Sequence, residues 1–310
     1  MRRAPFALSA AAFALAPAGV PAQTAGKPML LGTAPNEDAL AALWGRESGA
    51  FARAGIDLTI QKSNSGSAVA AAVAGRALDV GKSNIFSVIA AHARGLPFVV
   101  IAPAAVYDSR NSTVSLVVAP NSPLKTGRDL NGKVMGAPGL DDLAVIGVKR
   151  WMDTHGGDSS TLSFVEIPNS AISSTIVNGR IDMGVMEQPA LARALGTGSV
   201  RDFCHPFDAI GNRFVWAAYF TTSDYIAKNH DAVRAFQKVI AEGGAYVNAH
   251  HAETVDVLAK FTGMEASVIA SMQRTTLGTS LDVRMLQPVI DVAAIYKVIP
   301  QKYSAQSLIG

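Results

Sequence analysis

Cysteine is almost missing from this chain: Cys204 is the only one in 310 residues. No intrachain disulfide can form. A lone thiol in such a chain is read as a small buried hydrophobe, with a reactive thiol as the alternative. At 49% hydrophobic residues the chain has enough apolar material for two α/β lobes without a covalent staple. A basic stripe is missing as well. With 27 basic and 24 acidic residues, the formal charge is +3, and no surface run of Lys and Arg points to nucleic acid. The signatures of common catalysts are also lacking. There is no Gly-x-Ser-x-Gly elbow, no His-Glu-x-x-His pair and no phosphate loop ending in Gly-Lys-Ser/Thr. Gly196-Thr197-Gly198 lacks the third glycine of a dinucleotide fingerprint. The six histidines are scattered except for His250-His251, and adjacent residues on a helix face different ways. Neither a metal site, nor a cofactor, nor an enzyme activity is expected.

Beyond the N-terminus no run is long and apolar enough to span a bilayer. The N-terminus itself reads Met1-Arg2-Arg3 followed by an alanine-rich apolar run to Val20. Val20-Pro21-Ala22 puts small residues where a signal peptidase cuts, so residues 1–22 are expected to be a secretory signal, with export to the periplasm. The alternative, a membrane anchor, is opposed by two prolines and a run shorter than the roughly 20 residues a span needs. Removal of Arg2 and Arg3 leaves 25 basic and 24 acidic residues, close to +1. No stable membrane insertion is expected after that cut.

The organising stretch lies between Gln61 and Pro97. A strand from Ile56 to Ile60 feeds Ser63-Asn64-Ser65-Gly66-Ser67, and a helix of good formers follows from Ser67 to Ala74. Gly75 is expected to close that helix in the left-handed conformation. A short strand, Leu78 to Val80, then leads to a polar loop, Gly81-Lys82-Ser83-Asn84, and a second helix to Arg94. Polar loops at the carboxyl ends of strands, each opening a helix, are where open α/β sheets take ligands. The freed N–H groups of the helix starts add partial positive charge.

The same grammar recurs. Val73-Ala74-Gly75-Arg76-Ala77-Leu78-Asp79-Val80-Gly81 is echoed by Ile176-Val177-Asn178-Gly179-Arg180-Ile181-Asp182-Met183-Gly184. Two successive units with one connector predict two lobes of like build; a common connector used twice by chance is the alternative. Further along, Phe98 to Ala102 reads as a buried parallel strand, and Val106 to Asn111 as a hinge. Phe214 to Thr221 reads as an edge strand of the second lobe, and a helical tail after Ser223 returns to the first.

With these pieces in order, the chain resembles the periplasmic solute-binding proteins of ABC importers. It is most similar to the NMT1-like branch, which holds nitrate-, sulfonate- and taurine-binding proteins and the binders of thiamine-pyrimidine precursors. The resemblance is carried by Glu47 to Leu58, Ala74 to Gly81, Ala93-Arg94-Gly95-Leu96-Pro97 and Asn121 to Lys125. It continues through Asp129 to Val134, Asn178 to Asp182 and Asp231 to Phe236. It implies the type II two-lobe binding-protein fold: an α/β architecture, each lobe a mainly parallel sheet flanked by helices, with the ligand cleft between lobes. Lobe 1 is then residues 27–112 plus 223–310, and lobe 2 residues 113–222. It implies a small-molecule ligand and, as partners, an ABC permease and its ATPase. The chain departs from the family at Gly139-Leu140-Asp141-Asp142, where relatives are rich in Ser and Thr. It departs again at Met186-Glu187-Gln188-Pro189, where they carry Trp-Glu-Pro or Tyr-Glu-Pro. Pyrimidine synthases of the same fold look cysteine-rich at a metal site, which a single cysteine does not match.

Ligand contacts are expected from Asn36 and Glu37 after the first strand, and from Ser65, Gly66 and Ser67 at a helix start, where plain capping is the alternative. Lys82, Ser83 and Asn84 follow in the same lobe. In the other lobe Asp141 and Asp142 open a helix, Asn169 opens the next, and Glu187 ends a strand. Trp216 and Tyr107 offer stacking faces, or else pack in the core. Carboxylates on one side and helix starts on the other favour a zwitterionic or amine-bearing organic over nitrate, and the ligand is expected to be an amine-bearing, heterocyclic or sulfonate-like organic. An uptake-binding protein is the leading reading; a periplasmic sensor that presents its ligand to a membrane receptor is the second, and an enzyme on the same fold the third.

Overall fold

The computed structural model describes residues 26–63, 65–139 and 142–309. The proposed signal at residues 1–22, Asn64 and Asp141 lie outside the described residues. Among the described residues eleven strands form two sheets. They are β1 (Lys27–Thr33), β2 (Ile56–Lys62), β3 (Val80–Asn84), β4 (Phe98–Asp108), β5 (Val114–Val118), β6 (Val134–Ala137), β7 (Ser163–Glu166), β8 (Met183–Glu187), β9 (Arg201–Cys204), β10 (Arg213–Thr222) and β11 (Thr276–Leu277). The six-stranded sheet runs β11-β4-β10-β3-β1-β2, and the five-stranded sheet β7-β6-β8-β5-β9.

The helices are α1 (Leu40–Glu47), α2 (Ala50–Arg53), α3 (Gly66–Ala74), α4 (Ile85–Ala93), α5 (Leu143–Thr154), α6 (Asn169–Val177), α7 (Ala190–Gly196), α8 (Ser223–Ala249), α9 (Val255–Thr262), α10 (Ala266–Ser271) and α11 (Gln287–Ile295). They flank both sheets, so the α/β two-lobe architecture expected from the sequence is present. The sheets are mixed rather than mainly parallel. Each has a parallel trio, β2-β1-β3 and β7-β6-β8, extended by antiparallel strands.

The two trios are built alike. Helix α6 starts 103 positions after α3 (66 to 169), and β8 starts 103 after β3 (80 to 183). The connector that repeats in sequence does the same work twice. The Asp79 carboxylate accepts the Leu30 N–H at 2.8 Å, and the Asp182 carboxylate accepts the Val134 N–H at 2.8 Å. Each aspartate thereby locks the start of its third strand to the first strand of its own trio.

Several sequence expectations are corrected. Strand β10 is not an edge of the second lobe; it lies inside the six-stranded sheet, antiparallel to both β4 and β3. Its nearly continuous buried run, Phe214 to Thr221, is what an interior strand requires and an edge strand does not. Strand β4 is buried as expected, but its partners β10 and β11 are antiparallel to it, and it extends to Asp108. Lys82, Ser83 and Asn84 form the end of β3 rather than a loop after it. The apolar stretch from Ala39 to Ala52, which reads as one helix, is broken at Gly49 into α1 and α2.

The chain crosses from the large sheet to the small one between Asp108 and Val114, and returns between Cys204 and Arg213. The crossings are tied side by side by the Ser109 N–H donating to the Asn212 carbonyl at 2.9 Å. An aromatic knot of Tyr107, Phe207 and Phe214 packs there. One apolar core fills the large sheet and continues onto the face of the small sheet covered by α5. A second, smaller core around Ile172, Ile176 and Leu191 fills its other face, beneath α6 and α7. The C-terminal helices pack on the large sheet, as the sequence implied.

Candidate functional site

A cavity of about 860 Å³ lies between the carboxyl ends of the two trios. That size suits one small organic molecule. Eleven of the residues singled out from the sequence line it: Asn36, Ser65, Gly66, Ser67, Lys82, Ser83, Asn84, Asp142, Asn169, Glu187 and Trp216. The large sheet supplies the first seven and Trp216; the small sheet side supplies Asp142, Asn169 and Glu187.

Two hydrogen bonds cross the cavity. Asn36 Nδ2 donates to Glu187 Oε2 at 3.3 Å, and Asn84 Nδ2 donates to Asp142 Oδ2 at 3.1 Å. In both, an amide from the large-sheet side meets a carboxylate from the small-sheet side. Three of the four partners are held from behind. Asn84 caps α4 by accepting from the Ser87 N–H, and Asp142 caps α5 by accepting from the Ala144 N–H, both at 2.9 Å. Capping and cleft-facing roles therefore coexist in one side chain. Asn169 grips the Glu187 backbone at two points, its amide donating to the carbonyl and its oxygen accepting the N–H, each at 3.3 Å. Ser65 caps α3, accepting from the Ala68 N–H at 3.3 Å.

The electrostatics set the two sides apart. Lys82 is the only Lys or Arg among the described residues lining the cavity. It is buried, and its ammonium is paired at 2.5 Å with Asp38, itself buried. Among the described residues Glu187 and Asp142 have no such cation. Their surfaces still meet the cleft, yet protein encloses them on the other sides. Burial pushes Glu187 up to about 8, with the neighbouring Asp142 and Asp38 charges adding to the shift and Lys82 opposing it. Burial likewise raises Asp142 to about 6, against the pull of the Ala144 N–H. Groups so placed bind a positive charge or an N–H donor that returns what desolvation removed.

Two expected residues are elsewhere. Glu37 does not line the cavity: its carboxylate is buried behind the turn and consumed by Arg274 and by the Thr275 N–H. Tyr107 sits in the aromatic knot at the crossings, its hydroxyl donating to Asp208 at 2.7 Å. Trp216 faces the cavity, but from the large sheet, since it belongs to β10. The sequence reading missed Asp38, Ser87, Glu166, Ser170, Thr262 and Met264, which also line the cavity. Asp38 had a signal, since it adjoins Asn36 and Glu37 after the first strand; Thr262 and Met264 come from the helical tail and had none. Among the described residues no group of three or more His, Cys, Asp or Glu side chains is placed to hold a metal ion, and no helix is long and apolar enough to cross a membrane.

The chain is similar in fold to solved proteins of the periplasmic binding protein fold. The aliphatic sulphonate binding protein SsuA from Escherichia coli superposes with a TM-score of 0.74 at 19% identity, covering 91% of this chain and 92% of that one. The nitrate-binding protein NrtA from Synechocystis gives 0.77 at 13% identity, covering 91% and 85%. A Candida albicans protein described as having the generic periplasmic binding protein fold gives 0.71 at 11% identity, covering 92% and 96%. No curated protein matches the chain. The sequence pattern of the NMT1/THI5-like family matches residues 36–254. That match spans more than half of the chain and includes both crossings and most of the cavity lining, so the chain belongs to the NMT1/THI5-like family.

Proposed function

We propose that this protein is the solute-capturing component of an ABC importer, which holds a small organic molecule between its two halves in the periplasm and passes it to a membrane permease driven by an ATPase. The family membership and the periplasmic binding proteins of the same fold support this reading. So do the export signal expected at residues 1–22 and a cavity at the strand ends that is lined from both halves. The halves are residues 27–108, joined by 213–309, and residues 114–204, with the paired crossings as hinge.

The ligand is an organic molecule bearing an amine or a heterocyclic N–H. One observation carries this: Glu187 and Asp142 stand in the cleft without a cation, while the single lysine is already committed to Asp38. The sulphonate- and nitrate-binding proteins of the same fold take anions by name. An isolated anion here would meet two carboxyl groups and, among the described residues, no free cation. A zwitterion is compatible, its acidic end at the N–H groups that open α3 and its amine at Glu187.

The test is native mass spectrometry of the purified protein for a co-purifying solute, followed by a thermal-shift screen. Amines, zwitterions and nitrogen heterocycles are expected to raise Tm, because a ligand that binds only the folded form stabilises it. Tight calorimetric binding of nitrate or a simple alkanesulfonate, with no response to nitrogenous organics, would overturn the assignment.

A further inference from the structure

Glu37 lies outside the cavity but between two residues that line it, Asn36 and Asp38. Both of its carboxylate oxygens are engaged from the C-terminal segment that joins α10 to β11. Oε1 accepts from Arg274 Nε, and Oε2 from the Thr275 N–H at 2.8 Å. Arg274 is itself held, its Nη1 donating to the His251 carbonyl and its Nη2 to Thr254 Oγ1, both at 3.0 Å. The same segment grips the first crossing between the sheets. Thr275 Oγ1 donates to Thr113 Oγ1 at 3.2 Å, both residues being buried. Asn111 Nδ2 donates to the Arg274 carbonyl at 3.1 Å. Thr113 in turn accepts the Gln188 N–H through its carbonyl at 3.3 Å.

These contacts close into a ring. From Asn36 the path runs one peptide bond to Glu37, then by hydrogen bonds to Thr275, Thr113 and Gln188. One peptide bond leads to Glu187, whose Oε2 receives the Asn36 amide across the cleft. Half of the ring belongs to the large-sheet side and half to the small-sheet side. The Thr275–Thr113 hydroxyl contact joins the halves at the hinge, and the Asn36–Glu187 contact joins them at the cavity.

We propose that Glu37 and Thr275 are positioning residues for the cleft: they brace the turn that carries Asn36 and Asp38 against the crossing strand, and so set how readily the two halves close on a ligand. This rests on the binding-protein reading of the cavity. It differs from the general idea of a hinge in naming the C-terminal segment, which is remote in sequence from both crossings, as the part that biases it. Loosening the brace frees the turn from the crossing and favours the separated arrangement of the halves.

The experiment measures distance between the halves in the full chain without ligand, so its outcome does not depend on which solute the cavity takes. Spin labels are attached at Ala77→Cys and Asn178→Cys, two exposed positions on the equivalent connectors, in a Cys204→Ala background. Thr275→Val removes the hydroxyl contact to Thr113 while keeping the N–H that serves Glu37. It is expected to shift the distance distribution to longer values, with the ratio of separated to closed forms rising about fivefold. Thr275→Ser restores the original distribution. Thr113→Val added to Thr275→Val changes nothing further, and Glu37→Gln shifts the distribution in the same direction. Asn248→Ala is the control. It loses two hydrogen bonds to Leu277, each 2.9 Å, in the same segment but off the ring, and is expected to lower Tm without moving the distances. A Thr275→Val distribution that superimposes on the unmodified one overturns the proposal. So does an Asn248→Ala shift as large as that of Thr275→Val.

Discussion

Arg76 and Gly179 occupy one position in the two halves. Each follows the end of its helix, and each is left-handed, at φ 61° and 66°. In the sequence Gly75 and Gly179 both precede an arginine, and Gly75 is the residue expected to be left-handed. Gly75 instead has φ −78°, and the strained site falls on Arg76. A side chain in the left-handed region costs about 1 kcal/mol relative to glycine. The Arg76–Asp224 ion pair at 3.0 Å is exposed at both ends and contributes little. Arg76→Gly is therefore expected to raise Tm by about 1–4 °C. A fall in Tm on differential scanning calorimetry would show that the ion pair outweighs the strain.

The two connectors show where sequence reading succeeds and where it stops. The repeat was legible because both copies need an aspartate to receive the N–H of their first strand, and Asp79 and Asp182 supply it. The cavity was largely legible because strand ends and helix starts of an α/β unit are marked by short polar residues such as Ser65, Asn84 and Asp142. The place of β10 was not. A buried strand reads the same wherever it is inserted, and its neighbours β3 and β4 are set by pairing over more than a hundred residues. Glu37 was misread because nothing near it in sequence reveals Arg274, its partner 237 positions away. Thr262 and Met264 reach the cavity only through the return of the tail.

The raised carboxyl at Glu187 makes stability depend on pH in a stated direction. A glutamate in the unfolded chain titrates near 4.5, and here near 8. Between these values the folded protein holds a proton that the unfolded chain has released. The stabilising contribution of this group is therefore complete below 4.5 and is lost as pH rises through 8. Asp142 acts the same way over its own interval, from 3.8 to about 6. The Tm of the ligand-free protein is expected to fall between about pH 5 and about pH 8.5 by a few degrees. Glu187→Gln, which carries no charge at any pH, should flatten the upper part of that slope. An unchanged slope in the variant would remove Glu187 as its source.

A cationic solute must take the proton off Glu187 to form an ion pair. Its affinity is expected to rise as pH climbs toward 8, and binding at neutral pH should release protons. Calorimetry in two buffers of different ionisation enthalpy reads that release directly. Glu187→Gln should abolish most of it and weaken binding about 30-fold, the value of roughly 2 kcal/mol for a lost enclosed charge pair. Equal heats in both buffers would mean that the solute meets a neutral Glu187 and donates no charge to it.

Lys82 and Asp38 test how the cleft tolerates charge. Both are buried, and Asp38 is the salt-bridge partner of Lys82. Lys82→Met leaves Asp38 uncompensated and is expected to cost about 3–5 kcal/mol, whereas the double change Lys82→Met with Asp38→Leu should recover most of that loss. Urea unfolding of the three variants decides it. A double variant no more stable than the single one would mean that the pair contributes geometry beyond mutual neutralisation.

Gly66 sits where α3 opens onto the cavity, and a Cβ added there would lie 2.1 Å from Ser83 Oγ and 3.3 Å from Ser83 Cβ. Ser83 is buried, and its hydroxyl has no hydrogen-bond partner among the described residues. The closeness of these two residues, not backbone conformation, makes glycine the fitting residue at the helix start. Gly66→Ala must push Ser83 aside and is expected to destabilise the protein by about 1–3 kcal/mol. Ser83→Ala alone should be nearly neutral or stabilising, because it removes a buried hydroxyl that gains nothing from the fold. Combining them should cost much less than Gly66→Ala alone, since the colliding oxygen is gone. The coupling energy from this cycle is therefore predicted to be of order 1 kcal/mol and favourable. Strict additivity of the two changes, measured by urea unfolding, would mean that the helix start yields before Ser83 does.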